Sequence, residues 1–153
     1  MKTKSIRITT TIILLFSLFI SSHSVTQDTK LFSLTVDVHG LRNNEGSVVI
    51  TLYNREDAFP DEHYQKYVRK ITVTIENGKA IGTFSNLPEG KYAVNILDDE
   101  DNDGKIKKGF ILPKEGIGFS NYQSFGLGNR PKFSKASFML ENDMFIRIKV
   151  IYM

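Results

Sequence analysis

Three aspartates at alternate positions are the residues of this chain whose spacing best suits a chemical role. Asp99, Asp101 and Asp103 are followed directly by Gly104. Carboxylates at alternate positions can fold back around a hard cation when a glycine takes the sharp turn, and Ca²⁺ prefers oxygen ligands of this kind. The spacing therefore predicts a calcium loop in which these three side chains and the backbone carbonyl of Lys105 are the ligands.

The rest of the coordination shell is less well defined by the sequence. An EF-hand has a glutamate at the twelfth position of its loop, where this chain has Phe110. Glu115 is the candidate for the missing carboxylate, provided that the chain folds back to bring it to the loop. The same acidic residues also suit a metal-free turn, in which aspartate side chains accept hydrogen bonds from backbone N–H groups. Both interpretations stay open at this point.

The sequence contains little that is typical of a catalytic site. It has no cysteine, and His39 and His63 are the histidines after position 24. Ser120 is not part of a Gly-x-Ser-x-Gly pattern, and neither the zinc-ligand nor the dinucleotide-binding spacing occurs. We therefore predict a non-enzymatic protein with no catalytic or cofactor-binding residues. A cell-envelope hydrolase remains an alternative if one of the histidines meets carboxylates in a pocket.

The first residues are typical of an export signal. Lys2, Lys4 and Arg7 precede an apolar run over residues 12–20, and small residues follow it. The run is shorter than the ~20 apolar residues that span a bilayer, so we expect no stable membrane insertion after the signal is removed. The predicted organisation is a signal peptide at 1–24, a flexible leader at 25–30 and one domain at 31–153. The predicted location is the periplasm or the exterior of the cell.

The charge balance argues against nucleic acid as a partner. The chain has 20 basic and 17 acidic residues, and three of the basic ones lie in the predicted signal. The remainder is electrically balanced, whereas nucleic-acid-binding domains carry a basic patch. The partner that we expect is an unknown ligand or an envelope protein.

Alternation of apolar and polar residues dominates the rest of the chain. Between residues 32 and 39, for example, Phe32, Leu34, Val36 and Val38 share one face. Seven strands are predicted, at 32–39, 47–53, 68–75, 79–84, 91–97, 134–140 and 144–152. About seven strands with one apolar face each predict an all-β fold, an antiparallel β-sandwich of the immunoglobulin-like or transthyretin-like kind. A small barrel is the alternative.

The connections are predicted from turn residues. The first two strands and the last two are each expected to pair as hairpins, and Glu76-Asn77-Gly78 is typical of a tight hairpin turn. Residues 98–132 are predicted to be one long ordered loop, because their aromatic and branched side chains would otherwise expose a large apolar surface.

Several short segments together resemble the bacterial family termed domain of unknown function 2141. They are Leu41-Arg42-Asn43 with Gly46, Leu52-Tyr53-Asn54, Phe59-Pro60, Asn86-Leu87-Pro88-x-Gly90-x-Tyr92-Ala93, the acidic residues 99–105 and residues 113–121. The Leu-Pro-x-Gly-x-Tyr pattern is also similar to transthyretin-like and carboxypeptidase-regulatory-like sandwiches. The resemblance implies a sandwich and no particular reaction.

The leading functional hypothesis is an exported, non-catalytic β-sandwich that binds an unknown ligand and contains a structural calcium loop. A structural or protein-interaction module without metal is the alternative of a different class.

Cleavage of the signal is directly testable. We expect the exported protein to begin near Val25, because the cationic and apolar segments before Ser24 have the order of a cleavable signal. Intact-mass measurement on material exported from a bacterial host gives the start of the chain. Recovery of the full-length chain alone, in the membrane fraction, would contradict this prediction.

Overall fold

The computed structural model describes residues 29–61, 63–105, 115–126 and 128–153, which fold mainly into β-strands. The predicted signal peptide and residues 25–28 of the predicted leader lie outside these ranges. Within the ranges the strands are β1 (Leu31–His39), β2 (Ser47–Tyr53), β3 (Arg69–Thr74), β4 (Lys79–Pro88), β5 (Gly90–Asp99), β6 (Gly116–Phe119), β7 (Phe138–Leu140) and β8 (Met144–Lys149). A 3₁₀ turn at Glu56–Ala58 and a short helix α1 at Phe133–Ala136 complete the elements. None of the helices in this part of the chain is long and apolar enough to cross a membrane.

The strands form two sheets. The small sheet has the order β4-β1-β8, and the large sheet has the order β3-β2-β5-β6, with β7 paired to the first residues of β5. This arrangement confirms the predicted all-β sandwich. One pair departs from the predicted antiparallel pattern, because β8 runs parallel to β1.

The predicted hairpins between the first two strands and between the last two strands are wrong. β1 and β2 lie in different sheets, and so do β7 and β8. The turn at Asn77 and Gly78 does form, with both residues at positive φ, but β3 and β4 then separate into different sheets. In addition, residues 133–136 form α1 rather than part of a strand. Alternation identifies the buried face of a strand, whereas short connections that cross between sheets leave no comparable signal.

The side chains between the two sheets form the inner core. The predicted faces are confirmed: Leu34, Val36 and Val38 of β1 lie in it, and so do alternate residues of the other long strands. Its remaining buried members are Val48, Ile50, Leu52, Ala80, Phe84, Leu87, Tyr92, Val94, Ile96, Leu140, Ile148 and Val150.

A second apolar cluster covers the other face of the large sheet, and we call it the outer cluster. Its members are Val49, Tyr53, Ala58, Phe59, Tyr64, Ala93, Leu97, Ile117, Phe119, Tyr122, Phe133 and Ala136. The cluster combines residues of β2, β5 and β6 with residues of the segments 54–67 and 120–137. β2 and β5 are therefore buried on both faces.

The predicted loop at 98–132 is interrupted by a strand. β6 pairs antiparallel with β5 within it, and the chain after β6 packs into the outer cluster. Residues 106–114 and 127, which also belong to the predicted loop, lie outside the described ranges.

Ser120 and Asn121 fasten the chain after β6 to the large sheet. The Ser120 hydroxyl accepts the N–H of Val94 at 2.9 Å and donates to the carbonyl of Ala136 at 2.7 Å. The side-chain amide of Asn121 donates to the carbonyls of Ala136 at 3.2 Å and Ser137 at 3.1 Å. These bonds hold α1 against β5, so the role of Ser120 is structural.

Replacement of Ser120 tests this role. We expect Ser120→Ala to lower the free energy of unfolding by about 1–3 kcal/mol, because a buried N–H and a buried carbonyl lose their partner. Urea unfolding measures the change. The control is Ser124→Ala, at an exposed position of the same segment. Equal stability of the two variants would mean that the buried hydroxyl contributes nothing.

Candidate functional site

The predicted calcium ligands lie at one end of the sandwich, in a segment that we call the acidic turn (residues 99–105). Asp99 is the last residue of β5 and pairs with Ser47 at the start of β2. Gly46, just before that strand, has φ +68°, and a Cβ atom there would clash with the carbonyl oxygen of Asp99. Glycine therefore permits the connection before β2 to approach the beginning of the acidic turn.

Hydrogen bonds from the backbone shape the acidic turn. The two carboxylate oxygens of Asp99 accept the N–H of Asp103 at 3.1 Å and of Gly104 at 2.9 Å. The carboxylate of Asp103 accepts the N–H of Lys105 at 2.8 Å, and that of Asp101 accepts the N–H of Asp103 at 3.3 Å. These are the bonds expected of a turn organised by aspartate side chains.

The structure brings the three predicted carboxylate ligands together. One oxygen each of Asp99, Asp101 and Asp103 lies within 4.8 Å of the others. Asp99 is 3% exposed, whereas the other two side chains face solvent. Burial raises the pKa of Asp99, its backbone hydrogen bonds lower it, and the neighbouring charges of Asp103 and Asp101 raise it. A cation at this position would offset the repulsion among three anionic groups.

The other two predicted ligands are Glu115 and the backbone carbonyl of Lys105. The carboxylate of Glu115 is not one of the group that converges in the acidic turn. Glu115 is buried beside the start of β6. The burial of Tyr64 in the outer cluster is the largest cause that raises the pKa of Tyr64, and the charge of Glu115 is among the smaller ones. Lys105 closes the turn through its N–H group, and ligation by its carbonyl stays a prediction.

A network that joins Glu100 of the acidic turn to the segment before β2 was not predicted from the sequence. The guanidinium of Arg42 donates to both carboxylate oxygens of Glu100, at 2.7 and 2.6 Å, and the amide of Asn43 donates to one of them at 2.8 Å. The hydrogen bond from Arg42 lowers the pKa of Glu100. Because 58 positions separate Arg42 from Glu100, no local spacing could indicate the pair.

Tyr152 joins this network to the inner core. Its ring lies under the guanidinium of Arg42, 4.6 Å from ring centre to Cζ. Its hydroxyl accepts the N–H of Arg42 at 3.1 Å and donates to the carboxylate of Asp98, which is fully buried. Burial raises the pKa of both Asp98 and Tyr152, and the hydrogen bond between them lowers the first and raises the second. Tyr152 therefore remains a proton donor to the buried carboxylate of Asp98.

The histidines are not arranged as a catalytic pair. His39 lies between Lys79 and Lys149 on the small sheet. His63 borders a shallow depression of about 260 Å³ together with Asp61, Pro60, Gln65 and Lys66. Both oxygens of Asp61 accept backbone N–H groups, those of Gln65 and Lys66 at 2.6 Å and that of His63 at 3.1 Å. Asp61 thus organises its own loop.

Comparison with known proteins identifies a family but no function. Residues 36–146 match the family described as uncharacterised proteins conserved in bacteria, DUF2141. No curated protein and no solved structure matches the chain.

Removal of the Tyr152 hydroxyl tests the network beside the acidic turn. We expect Tyr152→Phe to lower the free energy of unfolding by about 1–3 kcal/mol or more, because the buried Asp98 carboxylate and the Arg42 N–H both lose a partner. The phenylalanine ring preserves the contact with the guanidinium. Chemical denaturation measures the loss, and Tyr67→Phe, at a partly buried position of the outer cluster, is the control. A loss no larger than that of the control would show that the hydroxyl is dispensable.

Proposed function

Since the chain belongs to the uncharacterised bacterial family DUF2141, we propose a function from the geometry of its acidic turn. The protein is an exported, non-catalytic β-sandwich that binds a calcium ion in the acidic turn and an unknown ligand or envelope protein through its surface. The calcium ion stabilises the end of the sandwich at which β2 begins and β5 ends.

The convergence of the three carboxylates carries this proposal. Asp99 belongs to β5, a strand that is buried on both faces, so its carboxylate is held in place before any ion arrives. Asp101 and Asp103 bring their oxygens to within 4.8 Å of it from the solvent side. A carboxylate oxygen that accepts a backbone N–H keeps a second lone pair for a metal ion. Oxygen ligands of this kind, with water completing the shell, suit Ca²⁺.

The neighbouring charges favour a site that binds Ca²⁺ weakly. Arg42 neutralises Glu100 through two hydrogen bonds, so the field at the acidic turn comes mainly from its own three aspartates. With Glu115 outside the group, the protein supplies three carboxylate ligands and water must fill several positions. Such a site resembles those of extracellular modules, which bind Ca²⁺ with dissociation constants on the order of 10⁻⁴ to 10⁻³ M.

A metal-free interaction module is the second candidate, and one observation favours it. The three aspartates already accept four backbone hydrogen bonds, which are sufficient to shape a turn without an ion. In that case the acidic turn is a solvated end of the sandwich, and the function lies in a protein-binding surface elsewhere.

The arrangement of Asp61 supports a non-catalytic role over a hydrolase. A general base needs a carboxylate that can approach a substrate proton. Both oxygens of Asp61 face the backbone of their own loop. The carboxylate of Asp37 lies on the small sheet and is paired with Arg147 at 2.9 Å.

Calcium should raise the melting temperature of the mature protein. A ligand that binds only the folded state stabilises it by mass action, so calcium at ten times a millimolar dissociation constant adds about 1.4 kcal/mol. Differential scanning calorimetry in calcium and in chelator measures the gain. Magnesium at the same concentration should do less, because it demands octahedral geometry and gives up water reluctantly.

Two variants separate metal binding from general stability. Asp101→Ala should abolish the calcium-dependent gain and leave the metal-free protein folded, since the Asp101 side chain is exposed. Asp57→Ala removes an exposed carboxylate from the 3₁₀ turn and should keep the full gain. Identical melting in calcium and in chelator, with no heat on calorimetric titration, would exclude the calcium site.

A further inference from the structure

Three buried polar atoms in the region of the outer cluster have no hydrogen-bond partner within the described part of the chain. They are the hydroxyl oxygens of Tyr53 and Tyr64 and the side-chain oxygen of Asn95. These residues are 0%, 5% and 2% exposed, respectively. A buried polar atom without a partner costs free energy, because it loses its hydrogen bond to water. Native proteins keep few such atoms, and a bound molecule or ion is one reason to keep them.

The three side chains meet on the outer face of the large sheet. Asn95 of β5 lies opposite Thr51 of β2, and Tyr53 is the next residue of β2 on the same face. Asn95 is therefore a diagonal neighbour of Tyr53, at a separation that an aromatic side chain can reach. Tyr64 reaches the same place from the segment 54–67.

The side chain of Asn95 lies close to both hydroxyls. Burial raises the pKa of Tyr53 to about 12 and that of Tyr64 well above its ordinary value, and the Asn95 side chain lowers both pKa values. The oxygen of Asn95 nevertheless accepts no hydrogen bond from either hydroxyl. The three oxygens are thus neighbours that do not satisfy one another.

The backbone of Tyr64 is strained at this point. Its φ is +51°, in the left-handed region, which a bulky residue rarely adopts. Conformations of this kind persist where the surrounding structure determines them, and they are enriched at sites that bind ligands. Two costs to stability, a strained backbone and unpartnered hydroxyls, therefore coincide in one region.

The nearest carboxylates make this region electronegative. After burial, which is the largest cause, the charge of Asp61 contributes to the raised pKa of both Tyr53 and Tyr64. The charge of Glu115 is a further contribution at Tyr64. Oxygen atoms beside carboxylates attract a cation and repel an anion.

Asp61 connects this region to the surface. It borders the depression of about 260 Å³ together with Lys66 and His63. Lys66 and His63 are exposed, so solvent screens their charges, whereas Asp61 is buried. The depression is smaller than the ~300–1,000 Å³ that is usual for drug-sized ligands, so it suits a small molecule.

We propose that the hydroxyls of Tyr53 and Tyr64 and the side-chain oxygen of Asn95 bind the ammonium group of a small primary amine that enters beside Asp61. A primary ammonium has three N–H donors and no acceptor, which matches three oxygens that lack a donor. The acidic turn lies at the start of β2 and Tyr53 is the last residue of that strand, so the two sites are separate. The amine site does not depend on calcium.

The probe is methylammonium chloride, and its control is tetramethylammonium chloride, which has the same charge but no N–H group. We expect methylammonium alone to raise the melting temperature of the mature protein and to shift the NMR signals of Tyr53, Tyr64 and Asn95. A ligand of two non-hydrogen atoms binds with a dissociation constant on the order of 10 mM at best. The titration therefore extends well above that concentration, with sodium chloride holding the ionic strength constant.

Tyr53→Phe distinguishes a ligand site from a site for internal water. The variant loses an oxygen that has no partner in the protein, so without amine it should be at least as stable as the unsubstituted protein. It should bind methylammonium about tenfold more weakly, because a hydrogen bond to a charged group is lost. Tyr67→Phe, at a partly buried position of the outer cluster, is the matched control and should keep the full effect of methylammonium.

Three results would overturn the proposal. The first is an absence of any change on addition of methylammonium, and the second is an equal effect of tetramethylammonium, which would indicate a general response to salt. The third is a Tyr53→Phe variant that is much less stable than Tyr67→Phe without amine, which would mean that internal water satisfies the hydroxyl. Urea unfolding of each variant measures that stability and verifies that the variant is folded.

Discussion

The burial of β2 and β5 on both faces is the constraint on which the rest of the structure depends. The inner core holds one side of these strands and the outer cluster holds the other, so their ends cannot shift without opening apolar contacts on two sides. The acidic turn starts from one such end, with Asp99 still inside the sheet. The outer cluster also determines the course of the chain after β6, which Ser120 ties to Val94.

The alternation of residues was sufficient to predict the fold class and the buried faces, but not the partners of each strand. A hairpin turn at Asn77 and Gly78 was correctly recognised, yet it connects two sheets rather than two neighbours in one sheet. β6 was missed because it contains two glycines in four residues and lacks the composition of a strand. The structure explains why both positions are glycine. A Cβ atom on Gly116 would collide with Val150 and Tyr152, and one on Gly118 would lie 2.7 Å from the carbonyl oxygen of Lys149.

The candidate site was predictable to the extent that it is local in sequence. Alternate aspartates followed by glycine were enough to identify Asp99, Asp101 and Asp103, whose oxygens do converge. The prediction for Glu115 depended on the return of a distant segment; Gly116 does pair with Asp98 beside the acidic turn, but the Glu115 carboxylate is not in the converging group. Tyr152 contacts Arg42, which is 110 positions away in the sequence, and Asp98, which is 54 positions away. Both contacts depend on how the two sheets pack together, so no local spacing indicates them.

The parallel pairing of β1 with β8 has a consequence for the order of events during synthesis. Asp37 of β1 meets Arg147 of β8 although 110 positions separate them. β1, the central strand of the small sheet, cannot pair with both of its neighbours until nearly all of the described chain has left the ribosome. Contacts between such distant residues form slowly. β8 is the last strand along the chain, so the small sheet acquires its third strand only at the end of synthesis, after the other strands have already emerged.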